Sequence, residues 1–191
     1  MIYILCAFEI EARALIDHYK LHKRVQESYK CFYNEELTIF ITGMGQEHAQ
    51  KATQTLFKTF SIQKDDAFIN LGICAGQADY EIGTLLQIKS LSDGEQTYAL
   101  EIQESEIPSV SCFSAKAPQS QALKEDIAEM EAMGIYLALQ EASSSNPINF
   151  LKIVSDHFKP SKMDKAFVHS LIQQNLIPIK QHISQLKKRD V

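Results

Sequence analysis

Three acidic stretches of this sequence have the residue types and settings that proton-transfer chemistry needs. Glu9 and Glu11 follow the apolar run of residues 2–8 and open a helical pattern in which Ala12, Leu15, Ile16 and Tyr19 recur every three or four residues. The helix dipole favours carboxylates in a first turn, and Arg13 stands one turn after Glu9, so Glu9 reads as a surface ion-pair partner. Glu11 differs, because Leu15 draws it to the edge of the buried face. A carboxylate held there loses hydration, binds its proton more tightly and can serve as a general base. Glu129-Met130-Glu131-Ala132 heads a second helical pattern, apolar on most sides through Leu139. Acids at its start suit the dipole, yet carboxylates are rarely buried without a partner, and a substrate hydroxyl is one such partner. Ser155-Asp156 closes an apolar run, where an acid either caps the next segment or faces a ligand crevice.

Two glycine stretches, Gly43-Met44-Gly45 and Gly72-Ile73-Cys74-Ala75-Gly76, read as turns at which backbone N–H groups can approach an anion or a sugar. The six histidines show no metal-ligand spacing with one another or with Cys6, Cys31, Cys74 and Cys112, so neither a metal nor an organic cofactor is expected. Among them, His157 stands beside Asp156 and could border a site.

The elements that must position these groups alternate. Residues 2–7 form a strand-length apolar run leading into the first helix. Residues 31–33 and 37–42 flank Asn34-Glu35-Glu36 as a hairpin, and a helix follows over roughly 47–59. A buried strand over 67–71 is followed by strands near 84–88, 97–102 and 109–113. The pattern turns helical from about Lys124, with a buried helix over 129–139, returns to a strand over 149–154, and ends in a helical tail over 163–186 that Pro178 is expected to kink or divide. Strands alternating with helices imply α/β architecture: one domain over 1–191, three layers α/β/α, around a mixed, largely parallel central sheet. In such sheets ligands bind beyond the carboxyl ends of the strands, which is where Glu11 and Asp156 fall.

Composition excludes several classes of function. At 191 residues with 45% hydrophobic and 23% charged residues, the chain is long enough for a sizeable core and too apolar for general disorder. A net charge of -5, with Arg13, Arg24 and Arg189 far apart, leaves no basic footprint for nucleic acid. The apolar N-terminus lacks a basic leader, and no run reaches the ~20 apolar residues of a membrane span. Scattered cysteines without C-x-x-C spacing point to free thiols in a reducing compartment, hence the cytoplasm.

Read in order, Ala7-Phe8-Glu9-Ile10-Glu11, Thr42-Gly43-Met44-Gly45, Asn70-Leu71-Gly72-Ile73-Cys74-Ala75-Gly76, Ile82-Gly83-Thr84, Glu129-Met130-Glu131-Ala132 and Val154-Ser155-Asp156 resemble the purine and uridine phosphorylase superfamily, most closely its methylthioadenosine/S-adenosylhomocysteine nucleosidases. The resemblance implies cleavage of the N-glycosidic bond of a purine nucleoside and a homo-oligomer, commonly a dimer. It implies that Glu11 activates the attacking water, that Met130 packs on the sugar, that Glu131 accepts the ribose hydroxyls, and that Asp156 hydrogen-bonds the purine and helps protonate N7. Gly43, Gly72, Ile73, Glu129 and Ser155 are then substrate-side positions, with Ile73 where nucleosidases of this type commonly carry serine. The segment between Thr84 and Glu129 is short for the family, and Phe113 is its candidate for the aromatic that stacks on the base.

Phosphorylases of this superfamily generally hold their phosphate with arginines, and none occurs between Arg24 and Arg189. Water is therefore the expected nucleophile. Phosphorolysis stays open through a lysine such as Lys116, and so does a degenerate protein that binds a nucleoside without cleaving it.

Overall fold

In the computed structural model, which describes residues 1–142, 145–159 and 164–187, strands and helices alternate along the chain. The first half runs β1 (Ile2–Cys6), α1 (Glu9–Tyr19), β2 (His22–Gln26), β3 (Tyr29–Tyr33), β4 (Leu37–Ile41), α2 (Gln46–Thr59) and β5 (Ala67–Gly76). The second runs β6 (Leu85–Ser92), β7 (Thr97–Ala99), β8 (Ser109–Ser114), β9 (Ile127–Glu129), α3 (Ala132–Glu141), β10 (Ile148–Asp156), α4 (Lys165–Gln174) and α5 (Leu176–Lys187).

The centre of the sheet is parallel, in the order β4-β1-β5-β10, and β3 and β2 extend it antiparallel beyond β4. At the other end the sheet curls back on itself. β10 pairs β6 antiparallel, β6 pairs β8 and β8 pairs β9 in parallel, and β9 returns antiparallel to β5 through Ala75 and Gly76. The ring β5-β10-β6-β8-β9 therefore closes without free edges, with β7 beside β6. Alternate residues of each strand feed two cores. Ile2, Ile4, Ile69 and Leu151 pack with Leu15, Ile172 and Ile183 of α1, α4 and α5. Tyr3, Leu5, Phe68 and Phe150 pack with Leu56, Met133 and Leu139 of α2 and α3. These are the three α/β/α layers that the alternation of elements implies.

Three expectations need correction, and one strand has no counterpart among them. Residues 72–76 are not a turn: β5 runs on to Gly76 because β10 pairs it on one side and β9 on the other. Its glycines serve close approach instead, since a Cβ at Gly72 would stand 2.9 Å from Glu11 Oε1 and one at Gly76 3.1 Å from Val154. The helix expected from Lys124 starts only at Ala132, after the three residues of β9. The tail divides at Asn175, which donates to Gly83 O and Leu171 O, and not at Pro178. Pro178 occupies the first turn of α5, where a missing N–H costs no helical hydrogen bond. Finally, β2 carries no periodic apolar signal, because His22, Lys23 and Arg24 are all exposed. The expected start of the tail at Met163, and Arg189, lie outside the described residues.

Helix α3 lies against the start of α2 at Gly134, where a Cβ would stand 2.0 Å from the carbonyl oxygen of Gln46. That atom belongs to backbone and cannot swing aside. Gly134→Ala is accordingly expected to cost about 3 kcal/mol or more, as overpacking against backbone does. Urea unfolding of the variant checks it, and wild-type stability would refute the close helix contact.

Candidate active site

The first acidic group is positioned by the junction of β1 and α1. The backbone N–H of Phe8 donates to Glu11 Oε2 at 2.9 Å, and that of Ile73 donates to Oε1 at 3.2 Å. Glu11 is buried, so desolvation raises its proton affinity, while the Phe8 donor, the Lys152 charge and the Ile73 donor act in the opposite sense; the net direction is up. This is the environment that the spacing of Glu11 and Leu15 predicts.

The second group is built at the entry to α3. Glu129 closes β9, and its Oε2 accepts from the backbone N–H of Glu131 at 2.9 Å and of Ala132 at 2.8 Å, capping the helix in place of an N-cap side chain. The same oxygen lies 2.8 Å from Lys152 Nζ, with both side chains buried. Burial opposes the charge on Glu129, but Lys152 and the surrounding donors outweigh it and hold the carboxyl below its ordinary value. Lys152 is driven the other way: burial disfavours its charge, and Glu129, Glu131 and Glu11 together raise it well above the lysine range. Glu131 accepts from Gly45 N at 2.8 Å across the layer between α3 and α2. Burial, with the neighbouring charges of Glu129 and Glu11, pushes it up to about 7 against the pull of Lys152.

The third group sits at the end of β10. The register of β10 on β5 shifts between Val154 and Asp156, leaving Ser155 as the extra residue of a bulge, a device that re-aims side chains at a strand end. Asp156 Oδ1 accepts from Lys159 N at 2.9 Å. Ser155 Oγ is 3.0 Å from both Asp156 Oδ2 and Cys74 O, and its single hydrogen serves one of them at a time.

One cavity of about 470 Å³ brings these groups together: Glu11, Ile73, Glu129, Met130, Glu131, Ser155 and Asp156 all line it. Three of the sequence candidates stand apart. Gly43 tethers its turn by donating to Ala7 O, and Gly72 lies beneath the Glu11 carboxylate. Phe113 faces the β6–β7 turn, its ring 3.4 Å from where Gly94 would carry a Cβ. The aromatic rings that do line the cavity are Phe8 and Phe167. His157 turns Nδ1 to Gly76 O at 3.1 Å and is not part of the wall. Sequence reasoning passed over Lys152, although a lone charge at the centre of an apolar strand is itself a demand for a buried partner. Phe8 stands inside the first motif, whereas Phe167 arrives only through the packing of α4 on α1 and leaves no local trace.

Among the described residues, no lysine, arginine or histidine lines the cavity, and no group of histidines, cysteines and acids could hold a metal ion. Arg13 pairs with Glu9 and Asp17 on the surface. Lys116 is exposed and lies near Asp93, whose carboxyl it helps hold down. No helix of the described residues is long and apolar enough to cross a membrane.

Neither a family model nor a curated protein matches this sequence. Solved structures do match it. The 5′-methylthioadenosine nucleosidase of Arabidopsis thaliana superposes with a TM-score of 0.82 at 12% identity, over 99% of this chain and 96% of that one. Futalosine hydrolase of Helicobacter pylori gives 0.77 at 16% identity over 96% and 97%. The 5′-methylthioadenosine/S-adenosylhomocysteine nucleosidase of Campylobacter jejuni gives 0.73 at 14% over 98% of each chain. The chain has the nucleosidase fold. Within that nucleosidase fold the cavity stands beyond the carboxyl ends of β1, β5 and β10, where ligands of open α/β sheets bind.

Two predictions test the electrostatics. Glu131 binds its proton more tightly folded, at about 7, than at the ordinary 4.5. Its contribution to stability is therefore complete below the unfolded value and is lost as pH rises through the folded one. Between those limits the wild type is expected to lose on the order of 2–3 kcal/mol more than Glu131→Gln in urea titrations; parallel pH profiles would contradict the assignment. Lys152→Met strands a buried carboxylate and is expected to cost about 3–5 kcal/mol, most of it recovered when Glu129→Gln is added. An additive double variant would show that the pair is not coupled.

Proposed function

We propose that this protein hydrolyses the N-glycosidic bond of a purine nucleoside, with water as the nucleophile. The observation that carries the reading is the meeting of Glu11, Glu131 and Asp156, far apart in sequence, on one cavity in a nucleosidase fold. Breaking a C–N glycosidic bond develops an electron-poor, oxocarbenium-like sugar and negative charge on the departing base. Glu11, buried and of raised basicity, takes the proton of the attacking water. Glu131 accepts the ribose hydroxyls, with Met130 against the sugar and Glu129 and Lys152 fixing the turn that carries both. Asp156, reinforced by Ser155, hydrogen-bonds the purine and supplies the proton that stabilises the leaving base. Phe8 and Phe167 replace Phe113 as the aromatic surfaces available to the substrate.

The acidic lining favours water over phosphate, which needs cations or a ring of backbone donors. Ile73 does not fill the hollow: it forms part of the wall and contributes its N–H to Glu11, which supports turnover over a merely binding relative. The reading extends to one domain over residues 1–191 and to a homodimer, with exposed Met44 and Phe167 beside the mouth as apolar contact surface. Four buried free cysteines suit the cytoplasm.

Chromatography of a purine nucleoside panel, with and without phosphate, tests this. Free base is expected in both conditions. Release only with phosphate would establish phosphorolysis, and binding without release a degenerate protein. Glu11→Gln and Asp156→Asn are each expected to lower kcat by about 100- to 10,000-fold, the range that general acid–base groups contribute.

A further inference from the structure

The carboxylate of Glu131 takes a hydrogen bond from Gly45 N at 2.8 Å, so its place in the cavity depends on how the start of α2 is held. Packing around Gly45 does not hold it, because no atom stands within 4 Å of where a Cβ would be. The next residue supplies an anchor. Gln46 Nε2 donates to the carbonyl oxygen of Ser114 at 2.7 Å, and the carbonyl oxygen of Gln46 lies against Gly134 of α3. Ser114 ends β8 and is buried, and its Oγ accepts from Met133 N at 3.1 Å in the first turn of α3. The same hydroxyl helps hold the Glu129 carboxyl below its ordinary value. Gln46 therefore ties the start of α2 to the strand end that also supports Glu129 and α3.

Helix position alone does not ask for an amide here. Gln46 is the first residue of α2, where a proline suits the fixed φ and an acid suits the dipole. The carbonyl at the end of β8 does ask for a donor of this reach. Gln46 does not line the cavity, so what it does for the site passes through Gly45 and Glu131. One and two turns further along α2, Gln50 and Gln54 donate to Glu141 at 2.7 and 2.6 Å on the exposed side, away from any of the acids in the cavity.

We infer that Gln46 is a positioning residue of the site: its amide bond to Ser114 fixes the start of α2 and so aims Gly45 N–H at the Glu131 carboxylate. The use of Glu131 toward a sugar rests on the glycosidase reading, whereas the clamp rests on the hydrogen bonds themselves. The bond from Gly45 favours the ionised form of Glu131 and opposes the burial that pushes it up to about 7. A loosened Gly45 therefore lets Glu131 keep its proton to higher pH. Lys152, Glu129 and Glu11, the charges that Glu131 feels, stay as they are when only Gln46 is changed to a neutral residue.

Two variants test the clamp. Gln46→Met keeps the length and removes the donor, and Gln46→Ala, well suited to a helix, covers the case in which the first does not fold. Each is expected to lower kcat/KM for purine nucleoside cleavage by about 10- to 100-fold, as displacement of a positioning group does. Each is also expected to move the titration of Glu131, followed by carbon-13 NMR of its carboxyl, up by about half a pH unit or more. Gln46→Lys retains a donor for the Ser114 carbonyl and should recover most of the lost kcat/KM. Gln50→Met removes the comparable amide on the exposed side and should leave both readouts at wild type. Lowered stability in urea with unchanged kcat/KM and an unmoved Glu131 titration would mark Gln46 as structural only and overturn its role. Should the wild type release no base from any nucleoside, the glycosidase reading falls by itself and the titration decides the clamp: an upward move supports it, and an unmoved midpoint refutes it.

Discussion

The site depends on one buried ammonium group. Glu129 and Glu11 stand close enough to Glu131 to raise its proton affinity, in surroundings too dry for three free charges. Lys152 makes the arrangement tenable by standing 2.8 Å from Glu129 and feeling all three. A single cation cannot neutralise three anions, and burial then favours the protonated form of Glu11 and Glu131. Glu129, in direct contact with the cation, is held below its ordinary value, whereas burial and the charges of Glu129 and Glu11 push Glu131 up to about 7. The pair thus divides labour. One acid anchors the loop and helix, and the other stays near neutrality, able to donate to or accept from a hydroxyl.

Backbone geometry decides that these groups can meet at all. Glu11 reaches over β5 because Gly72 has no Cβ to crowd its carboxylate. Glu131 reaches Gly45 because Gly134 lets α3 lie against the start of α2, while Gly45 itself, at φ 94, turns its N–H toward the acid. Asp156 is delivered by the bulge at Ser155. Each acid is therefore placed by a local departure from regular structure, the pattern expected where function overrides local preference.

This explains which parts were legible in the sequence. Strand β1, helix α1, the β3–β4 hairpin and α2 follow from local periodicity, since the residues that pattern them also bury them. Glu11, Glu131 and Asp156 were visible because an acid beside an apolar run is anomalous in any fold. The strand β9 was not, because three residues acquire strand character only when β8 and β5 close on both sides of them. Gly72 and Gly76 looked like a turn because a sequence cannot distinguish a glycine needed for positive φ from one needed for close approach. Lys152 was absorbed into a run read as uniformly apolar, and Phe113 was named by position in the chain, whereas Phe167 reaches the wall only through how α4 rests on α1.

The same electrostatics bear on which nucleophile this frame can serve. The fold alone does not choose between water and an anion as nucleophile. In the hydrolytic reaction proposed above, the choice follows from charge. Phosphate entering beside Glu11, Glu129 and Glu131 would add further negative charge to a cluster already short of cations, and Lys152, bound to Glu129 with its side chain enclosed, cannot turn to meet it. Water carries no such cost, and in the proposed reaction its proton passes to Glu11, whose burial raises its basicity. Excess acid therefore works in two directions, making the cavity hostile to anions and well supplied with proton acceptors. A chain that moved toward phosphorolysis would have to supply a second cation at this floor before any refinement of the pocket walls could matter.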